Sequence, residues 1–341
     1  MDRIRIAIDC MGGDHAPEAP VQGALDAISE SDEIEVILVG REEEIRKVLT
    51  GKKYDESRLS IVNATEVIET AEHPVSAINS KKDSSMVVGL KLVKNKEADA
   101  LLSAGNSGAL LVGGQTVVGR IPGVKRAPFA AMMPTASGAS LLVDTGANVD
   151  ARSDMLVNWA LLGTIYMKEV VGRDNPTVGI VNIGAEEEKG NALVKETMPL
   201  LRETDGINFV GSVEARDIPT GGTDILVCDA FVGNIIIKMY EGVAKTIMNA
   251  LQKGFKATPV SALGALMSLP SLKKSLKDFD VSQYGGAPLL GVKGLVMKTH
   301  GSAKAKEFKN SCLQCIAFTK NDVVGKMQAA LAAQKEKSKA E

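Results

Sequence analysis

The stretch 99–112 constrains the fold more than any other, because it joins two apolar runs through the turn Ala-Gly-Asn-Ser-Gly. It predicts a buried strand at 100–103 and a helix that begins near Ser107. A strand and a helix without charges need cover on both faces, which the parallel sheet of an α/β protein provides. Because Gly105 and Gly108 lack side chains, a ligand can approach the main chain there, and the N–H groups of a helix start favour an anion such as phosphate. An ordinary tight turn is the alternative interpretation.

Predicted strands alternate with predicted helices along almost the entire chain, a pattern typical of α/β proteins. We therefore expect a mostly parallel, doubly wound sheet covered on both faces. No linker rich in Gly, Ser or Pro divides the sequence, so residues 1–330 are predicted to form one elaborated domain, with a frayed, charged tail at 331–341. Helix caps are expected at Asp14 or His15, at Asp83 or Ser84, at Ser107 and at Ser153.

Small and polar residues follow one predicted strand after another. Because the carboxyl ends of parallel strands share one edge, these turns are expected to meet in one crevice, where open α/β sheets bind ligands. One such turn gives weak support, but five together predict a polar site lined by main chain. The turns are Met11-Gly-Gly-Asp, Ala104-Gly-Asn-Ser-Gly, Thr145-Gly-Ala-Asn-Val-Asp, Ile183-Gly-Ala and Asp229-Ala-Phe-Val-Gly-Asn.

Missing motifs disfavour several enzyme classes. The glycine fingerprint of dinucleotide-binding folds, the P-loop and the nucleophile elbow of α/β-hydrolases are all absent. His15, His73 and His300 are scattered, which disfavours a histidine metal site, and no metal is expected. Cys312-Leu-Gln-Cys315 lies alone in a predicted helix and is interpreted as a pair of buried thiols. Cys10 is interpreted as a buried thiol rather than a nucleophile.

Composition bounds the partners and the compartment. A net charge of −2 and an aromatic content of 4% disfavour nucleic-acid binding. The charged N-terminus lacks the apolar core of a signal peptide, and no segment is long and apolar enough to span a bilayer. Four cysteines in 341 residues are typical of a reducing compartment. The expected location is the cytoplasm.

Residues 242–280 are predicted to form an inserted basic, amphipathic hairpin of two helices with an apolar tip at 259–270. The segment 242–277 contains lysines and no acidic residue, in a chain that is slightly acidic overall. This excess predicts an acidic partner, either an anionic membrane surface or an acidic protein, while a dimer-forming arm remains an alternative. The residues assigned to membrane or partner contact are Lys253, Lys256, Leu263, Leu266, Met267, Lys273 and Lys274.

The ordered motifs together resemble the PlsX family, the bacterial phosphate acyltransferases of phospholipid synthesis. The resemblance extends from Ile4 to about Val324. It rests on Asp9-Cys-Met-Gly-Gly-Asp, Ser103-Ala-Gly-Asn-Ser-Gly-Ala-Leu, Asp144-Thr-Gly-Ala-Asn-Val-Asp, Asn182-Ile-Gly, Lys189-Gly, the Asp229 turn with Lys238 and Glu241-Gly, Tyr284-Gly-Gly-Ala and Lys298-Thr-His-Gly.

This resemblance implies that an acyl group passes from acyl carrier protein to inorganic phosphate, giving acyl phosphate without a cofactor. It also implies a homodimer with a fold like phosphotransacetylases and isopropylmalate dehydrogenases. The expected location is the inner face of the cell membrane, where the enzyme associates peripherally beside a glycerol-phosphate acyltransferase. The reaction is expected to be the first step that feeds glycerol-3-phosphate acylation.

Site roles follow from that reaction. Backbone N–H groups at Asn106 and Ser107 are expected to bind phosphate. Lys238 and Lys298 are expected to neutralise its charge. His300 is expected to protonate the leaving sulfur. A turn histidine is the alternative for His300. The proposed catalytic residues are His300, Lys298, Lys238 and Asn234. The proposed substrate-binding residues are Gly12, Gly13, Asp14, Gly105, Asn106, Ser107, Gly108, Asn148, Asn182 and Gly233.

Three other functions fit parts of the pattern. Acyl transfer from coenzyme A, as in phosphotransacetylases, would use the same crevice and differ only in the acyl donor. A pyridine-nucleotide dehydrogenase on the related fold needs an acidic metal-ligand set and a nucleotide site that the sequence lacks. A non-catalytic membrane scaffold would not explain the five polar turns.

Overall fold

The computed structural model describes residues 3–276 and 281–340. Its strands are β1 (Ile4–Asp9), β2 (Ile34–Gly40), β3 (Leu59–Asn63), β4 (Ala100–Ser103), β5 (Ala130–Thr135), β6 (Gly138–Val143), β7 (Thr177–Asn182), β8 (Asn208–Glu214), β9 (Ile225–Val227), β10 (Ala287–Pro288) and β11 (Leu295–Lys298). Its helices are α1 (Glu18–Glu30), α2 (Glu42–Leu49), α3 (Pro74–Ser80), α4 (Ser85–Lys94), α5 (Ser107–Gly113), α6 (Ser153–Tyr166), α7 (Ala192–Glu203), α8 (Ala230–Phe255), α9 (Pro259–Leu276), α10 (Ala305–Lys320) and α11 (Val323–Ala340).

The first sheet has the strand order β10-β11-β4-β1-β2-β3 in the described part of the chain, and its neighbours are parallel except for β10 and β11. Alternate side chains of β1 face opposite sides of this sheet. Ile8 packs in an apolar cluster with Phe308 of α10, whereas Ala7 packs in another cluster with Leu90 of α4. Both faces are therefore covered, as the uncharged sequence of β4 predicts.

The second sheet has the order β5-β6-β9-β7-β8, with only the β5–β6 pair antiparallel among its described strands. Leu141 and Val143 of β6 pack with Trp159 of α6 in the same apolar cluster that holds Ile8 of the first sheet. The two sheets therefore share one apolar core. An isolated bridge between Phe129 and Leu289 also joins them.

The predicted α/β class and mostly parallel strand order are confirmed, but the strands form two sheets where one was expected. This division separates the five polar turns into two groups. The turns after β1 and β4 follow the first sheet, and those after β6, β7 and β9 follow the second. The groups lie near each other, because Ala147 of the β6 turn packs against the apolar cluster that contains Ala109 of α5.

Three of the expected helix caps are wrong, and one is confirmed. Ser84 caps α4 through its Oγ, which accepts from the Val87 N–H. The cap of α5 is Asn106 rather than Ser107, because the longer Asn side chain reaches the Ala109 N–H. Helix α1 begins after Pro17 without a side-chain cap. Ser153 is the first residue of α6, and its hydroxyl donates to Glu196 instead.

The helical hairpin is present, but its apolar residues lie on the second helix rather than at a tip between helices. Helix α8 begins at Ala230, earlier than the expected insertion at 242, and ends at Phe255. Helix α9 starts at Pro259, at the beginning of the predicted tip. Its start is capped, because Thr258 Oγ1 accepts from the Ser261 N–H and the Ser261 Oγ accepts from the Thr258 N–H in return. Residues 277–280 of the predicted hairpin, and the side chains of Lys273 and Lys274, lie outside the described residues.

The chain after β11 folds into α10 and α11, two helices where one was expected. Cys312 and Cys315 are buried on α10, which agrees with their interpretation as core thiols. Helix α11 continues to Ala340 through most of the segment predicted to fray, and Leu331 is buried within it. Across residues 3–276 and 281–340, no helix combines the length and apolarity needed to cross a bilayer.

Candidate active site

The glycine turns after β1 and β4 touch each other through their main chains. A Cβ on Gly12 would lie 2.6 Å from Asp9 Oδ2 and 2.7 Å from the Gly105 nitrogen. Gly13 has a φ of +99°, a conformation that favours glycine, and the next amide, that of Asp14, donates to Gly301 O at 2.8 Å. The turns after β1, β4 and β11 therefore form one backbone-lined surface, as the sequence predicts for the first two.

Lys298 places a cation at this surface. It is the last residue of β11, and its Nζ donates to Ala104 O at 3.1 Å and also to Thr299 O. Burial lowers the pKa of Lys298 to about 8, while the charges of Asp9 and Asp14 act in the opposite direction. The ammonium is thus largely charged at neutral pH and lies beside the predicted phosphate turn.

Asp9 supports the same turns, although the sequence analysis assigned it no role. Its Oδ2 accepts from the Ser103 hydroxyl at 2.7 Å, and that hydroxyl accepts in turn from the Gly105 N–H at 3.1 Å. Its Oδ1 accepts from the Met11 N–H at 3.1 Å. The carboxylate is buried and fixes both glycine turns. Its position at the carboxyl end of β1, within the motif Asp9-Cys-Met-Gly-Gly-Asp, is the signal that could have found it.

The start of α5 offers main-chain donors. The first N–H groups of a helix have no acceptor within the helix. Asn106 Oδ1 accepts from the Ala109 N–H, and the N–H groups of Ser107 and Gly108 keep no intrahelical partner. The Asn106 Nδ2 donates to the carbonyls of Glu69, Thr70 and Glu72 at 3.1 to 3.2 Å. Asn106 therefore acts through its side chain as a clamp, and the anion site at this turn consists of backbone donors.

His300 lies two residues after Lys298, on the exposed side of the same loop. Its Nδ1 lies 2.8 Å from Ser302 Oγ and accepts from the Ser302 N–H at 3.2 Å. The backbone donor assigns the acceptor role to Nδ1, so the neutral ring carries its proton on Nε2. That Nε2–H is the group available to a leaving sulfur.

A buried carboxylate organises the turn after β6. Asp144 accepts from the N–H groups of Phe129, Gly146, Ala147 and Asn148, and from the Asn148 Nδ2 at 2.8 Å. Burial raises the pKa of Asp144 against the opposite influence of these donors. The sequence analysis quoted Asp144 in a motif but gave it no role.

Asn148 is held inside this turn rather than presented to a ligand through its amide nitrogen. Its Nδ2 also donates to Ala127 O at 3.0 Å, whereas its buried Oδ1 has no hydrogen-bond partner within the described residues. The first turn of α8 packs directly behind, since a Cβ on Gly233 would lie 1.9 Å from Asp144 O. Gly233 is therefore a packing residue at the site's base.

Asn234 and Lys238 face a groove along α8 with a volume of about 820 Å³. Asn234 Nδ2 lies 3.2 Å from the position that a Cβ on Gly146 would occupy, which ties the groove to the β6 turn. Beyond these polar groups the groove is apolar. Its remaining lining residues are Val149, Ala230, Phe231, Ile235, Met239, Gly242, Val243, Thr246 and Ile247.

The structure thus brings the predicted site residues together in two clusters and leaves Asn182 apart. Lys298 and His300 belong to the first sheet with the glycine turns, whereas Asn234 and Lys238 belong to α8 beside the second. Asn182 holds its own loop through Lys189 O and Ile183 N, and its Nδ2 also donates to Ser212 Oγ. Within the described residues, no group of His, Cys, Asp or Glu side chains could hold a metal ion.

Burial raises the pKa of the Cys10 thiol well above its usual range, with the nearby Asp9 charge acting in the same direction. The thiol has no exposed surface and donates to Ile8 O at 3.4 Å. A thiol of raised pKa is a poor nucleophile, so Cys10 is a core residue.

An α/β fold with backbone donors and a half-buried lysine at the carboxyl ends of parallel strands is typical of enzymes that bind anions such as phosphate. The family model described as fatty acid synthesis protein matches residues 4–326. A phosphate acyltransferase from Clostridium perfringens is 47% identical over 324 residues, covering 95% of this chain and 96% of the relative. One from Alkaliphilus oremlandii is 48% identical over 321 residues, covering 94% and 95%. The chain belongs to this family of phosphate acyltransferases, which confirms the resemblance to the PlsX family.

Solved structures support the fold. The EutD phosphotransacetylase from Staphylococcus aureus aligns with a TM-score of 0.57 at 14% identity, covering 94% of each chain. A branched-chain phosphotransacylase from Enterococcus faecalis aligns with a TM-score of 0.53 at 16% identity, covering 92% of this chain and 98% of the other. These likenesses confirm the expected relation to the phosphotransacetylase fold.

Proposed function

We propose that this chain transfers an acyl group from an acyl carrier protein thioester to inorganic phosphate, giving acyl phosphate and the free carrier thiol. The observation that carries the proposal is the Lys298 ammonium at Ala104 O, beside the unpartnered N–H groups of α5. This arrangement suits a phosphate dianion. Membership of the phosphate acyltransferase family supports the reaction type.

The chemistry needs no covalent enzyme intermediate, because phosphate is itself a nucleophile. One phosphate oxygen attacks the thioester carbonyl carbon, the C–O bond forms, and the C–S bond breaks from the tetrahedral intermediate. The sulfur leaves as a thiolate that accepts a hydrogen bond from the Nε2–H of His300 in our proposal, and the proton that neutralises it comes from the attacking hydrogen phosphate. Lys298 and the backbone donors hold phosphate in position for attack, and positioning of this kind accounts for much of the rate in acyl transfer.

Trapping of acyl phosphate with hydroxylamine tests the reaction and its donor. Purified protein is incubated with acyl carrier protein thioester, with or without phosphate, and acyl hydroxamate is measured. Phosphate-dependent hydroxamate is the expected result. If acyl-CoA supports turnover and the carrier thioester does not, the enzyme is a phosphotransacetylase in substrate use as well as in fold. Hydroxamate formation that ignores phosphate contradicts both versions.

The phosphate KM is expected to rise about tenfold between about pH 7 and pH 9, because Lys298 loses its proton around its pKa of about 8. Lys298→Arg stays charged over this range, so its profile should be flat. The contribution of Lys298 to stability should rise with pH over the same range, although phosphate binding weakens. The unfolded chain keeps the ordinary, higher lysine pKa and so binds more protons above pH 8, which makes this group favour the folded state as pH rises. A phosphate KM that is level with pH in the wild type removes Lys298 from phosphate binding.

Asn106→Ala is expected to lower kcat/KM for phosphate at least about tenfold, because it removes the α5 cap and the three contacts to the 69–72 segment. Asn106→Asp keeps the acceptor for the Ala109 N–H, but it turns a carboxylate toward the three carbonyls and adds negative charge beside the phosphate turn, so its activity should be at least as low as that of Asn106→Ala. Steady-state kinetics with varied phosphate check the order. Equal kinetics for all three proteins contradict the clamp.

We also propose peripheral attachment to the inner face of an anionic membrane through α9. Leu263, Leu266 and Met267 are 60%, 68% and 76% exposed, and lysines such as Lys253 and Lys256 accompany them. Apolar residues beside lysines are typical of helices that lie in the membrane interface. This location would place the reactive acyl phosphate beside a glycerol-phosphate acyltransferase, its proposed consumer.

The double variant Leu263→Glu/Leu266→Glu should release the protein from anionic vesicles in sedimentation while it still turns over a soluble donor. Val210→Glu is the matched control, because Val210 is 51% exposed and lies on the edge strand β8 rather than on the hairpin. Retention of the double variant on vesicles contradicts attachment through α9.

A homodimer is the proposed assembly, and α8 is the surface that supports it. Phe231, Ile235 and Met239 are exposed large side chains at spacings of four residues, so they follow one side of the helix. An apolar stripe of this kind is typical of an interface between copies. In the proposed dimer the partner covers the outer side of the groove that these residues line and leaves its Val149 end for substrate.

A further inference from the structure

A second depression, which we call the basic pocket, lies beside the β6 turn and has a volume of about 710 Å³. It is formed by the segment that leads from α5 to β5 and by the residues just before α6. Most of its charged groups are cationic. The lining residues are Arg120, Gly123, Val124, Lys125, Arg126, Asp150, Arg152 and Met155.

Charge in the basic pocket is only partly balanced. Asp154 pairs with Lys125 at 2.5 Å and with Arg152 at 3.4 Å. Within the described residues, neither Arg120 nor Arg126 forms an ion pair, and both are exposed. Four cations face Asp150 and Asp154, so the pocket is positive on a chain whose net charge is −2.

The pocket is held rigidly although its charges are exposed. The Trp159 indole N–H donates to Arg126 O at 2.9 Å, the Arg120 guanidinium donates to Lys125 O, and Asn158 Nδ2 donates to Gly123 O at 3.3 Å. These bonds fix the backbone and leave the Arg126 guanidinium without a hydrogen-bond partner in the described part of the chain. A surface prepared in this way needs little ordering when a partner binds.

The basic pocket adjoins the candidate active site. Asn148 of the β6 turn donates to Ala127 O, the residue next to Arg126. Val149 lines the groove along α8, and the following residue, Asp150, lines the basic pocket. A macromolecule seated on the pocket therefore lies directly beside the groove and its polar end.

We propose that the basic pocket is the docking surface for the acidic carrier protein that delivers the acyl thioester. The identity of the ligand rests on the proposed function. The location of the docking surface rests on charge complementarity and on the position of the basic pocket beside the groove. A membrane is a poorer partner here, because the apolar lining residues Val124 and Met155 are buried and offer nothing to insert, unlike Leu263 on α9. The carrier's thioester-bearing arm enters the groove from the Val149 side.

The test compares two donors that carry the same thioester, acyl carrier protein and acyl-pantetheine. Arg126→Glu should lower kcat/KM for the carrier donor at least about tenfold at low salt, and the loss should shrink as salt is added. Arg126→Lys keeps the charge and should restore most of the activity. Acyl-pantetheine lacks the carrier protein, so its kcat/KM should be the same for the wild type and Arg126→Glu. The ratio of kcat/KM for the carrier donor to that for acyl-pantetheine therefore measures docking. Lys53→Glu, the same charge change in the loop that leads to β3, the far edge strand of the first sheet, is the control.

Carrier binding measured by fluorescence anisotropy without phosphate separates docking from catalysis. Weaker binding to Arg126→Glu supports the inference even if the wild type makes no acyl phosphate, in which case only the proposed reaction fails. Equal binding by the wild type and Arg126→Glu overturns the inference, as does a loss of binding produced instead by Lys253→Glu/Lys256→Glu on the hairpin. An equal fall with both donors assigns Arg126 a structural role and likewise overturns it.

Discussion

Replacement of Lys298 by alanine is expected to lower kcat/KM for phosphate about 100- to 1,000-fold. The Lys298 Nζ is held at Ala104 O, so its charge lies against the turn that carries the free N–H groups of α5. Lys298 is half-buried, and electrostatic attraction is stronger there than at a fully exposed surface. Without the ammonium, the nearby Asp9 carboxylate is left to repel the phosphate dianion.

The matched control is Lys293→Ala. Lys293 lies two residues before β11, at the amino end of the strand whose carboxyl end carries Lys298, and it is exposed. Its substitution should leave phosphate kinetics unchanged. Lys298→Arg should keep part of the activity, because the charge remains although its geometry differs.

Thermal melting of each variant shows whether lost activity reflects lost folding, since Lys298 also contributes packing through its buried stem. A folded Lys298→Ala protein with ordinary phosphate kinetics would remove the ammonium from the mechanism. It would leave phosphate binding to the backbone donors of α5 alone.

Local patterns in the sequence predicted individual elements well. The uncharged run 100–103 forms β4, and the helix expected near Ser107 begins at that residue. Periodicity and caps act over a few residues, so a linear sequence contains most of the information needed. The division into two sheets depends on which distant strands pair, such as β6 with β9, and no local pattern encodes that choice.

Residue type alone does not show how the predicted site residues are held in place. Asn106, Asn148 and Asn182 suit phosphate chemically, yet their amide groups bond mainly to neighbouring main chain, and only the fold reveals those partners. Asp9 and Asp144 received no predicted role, because a carboxylate is expected to repel an anion. Only the fold shows that both accept hydrogen bonds from the turns they support. Arg120 and Arg126 lie on a different segment from Arg152, so the basic pocket does not appear as a charge cluster in the sequence.

Gly233→Ala is expected to destabilise the protein by about 1–3 kcal/mol and to abolish most of its activity. A Cβ at this position would lie 1.9 Å from Asp144 O and 3.2 Å from Cys228 Sγ. The first obstacle is backbone, which cannot rotate away as a side chain can. Asp144 and Cys228 are also joined by main-chain hydrogen bonds that continue the β6–β9 pairing, so relief of the clash must shift the site's base.

Gly254→Ala on the same helix supplies the opposite expectation. Gly254 lies near the end of α8, beyond the residues that line the groove, and no atom lies within 4 Å of an added Cβ. Alanine is a better helix former than glycine, so this variant should gain up to about 1 kcal/mol. Denaturant unfolding and phosphate kinetics on both variants, against the wild type, measure the pair. If Gly233→Ala were as stable and active as Gly254→Ala, α8 would not be packed against the Asp144 turn, and Asn234 would lose its support as a site residue.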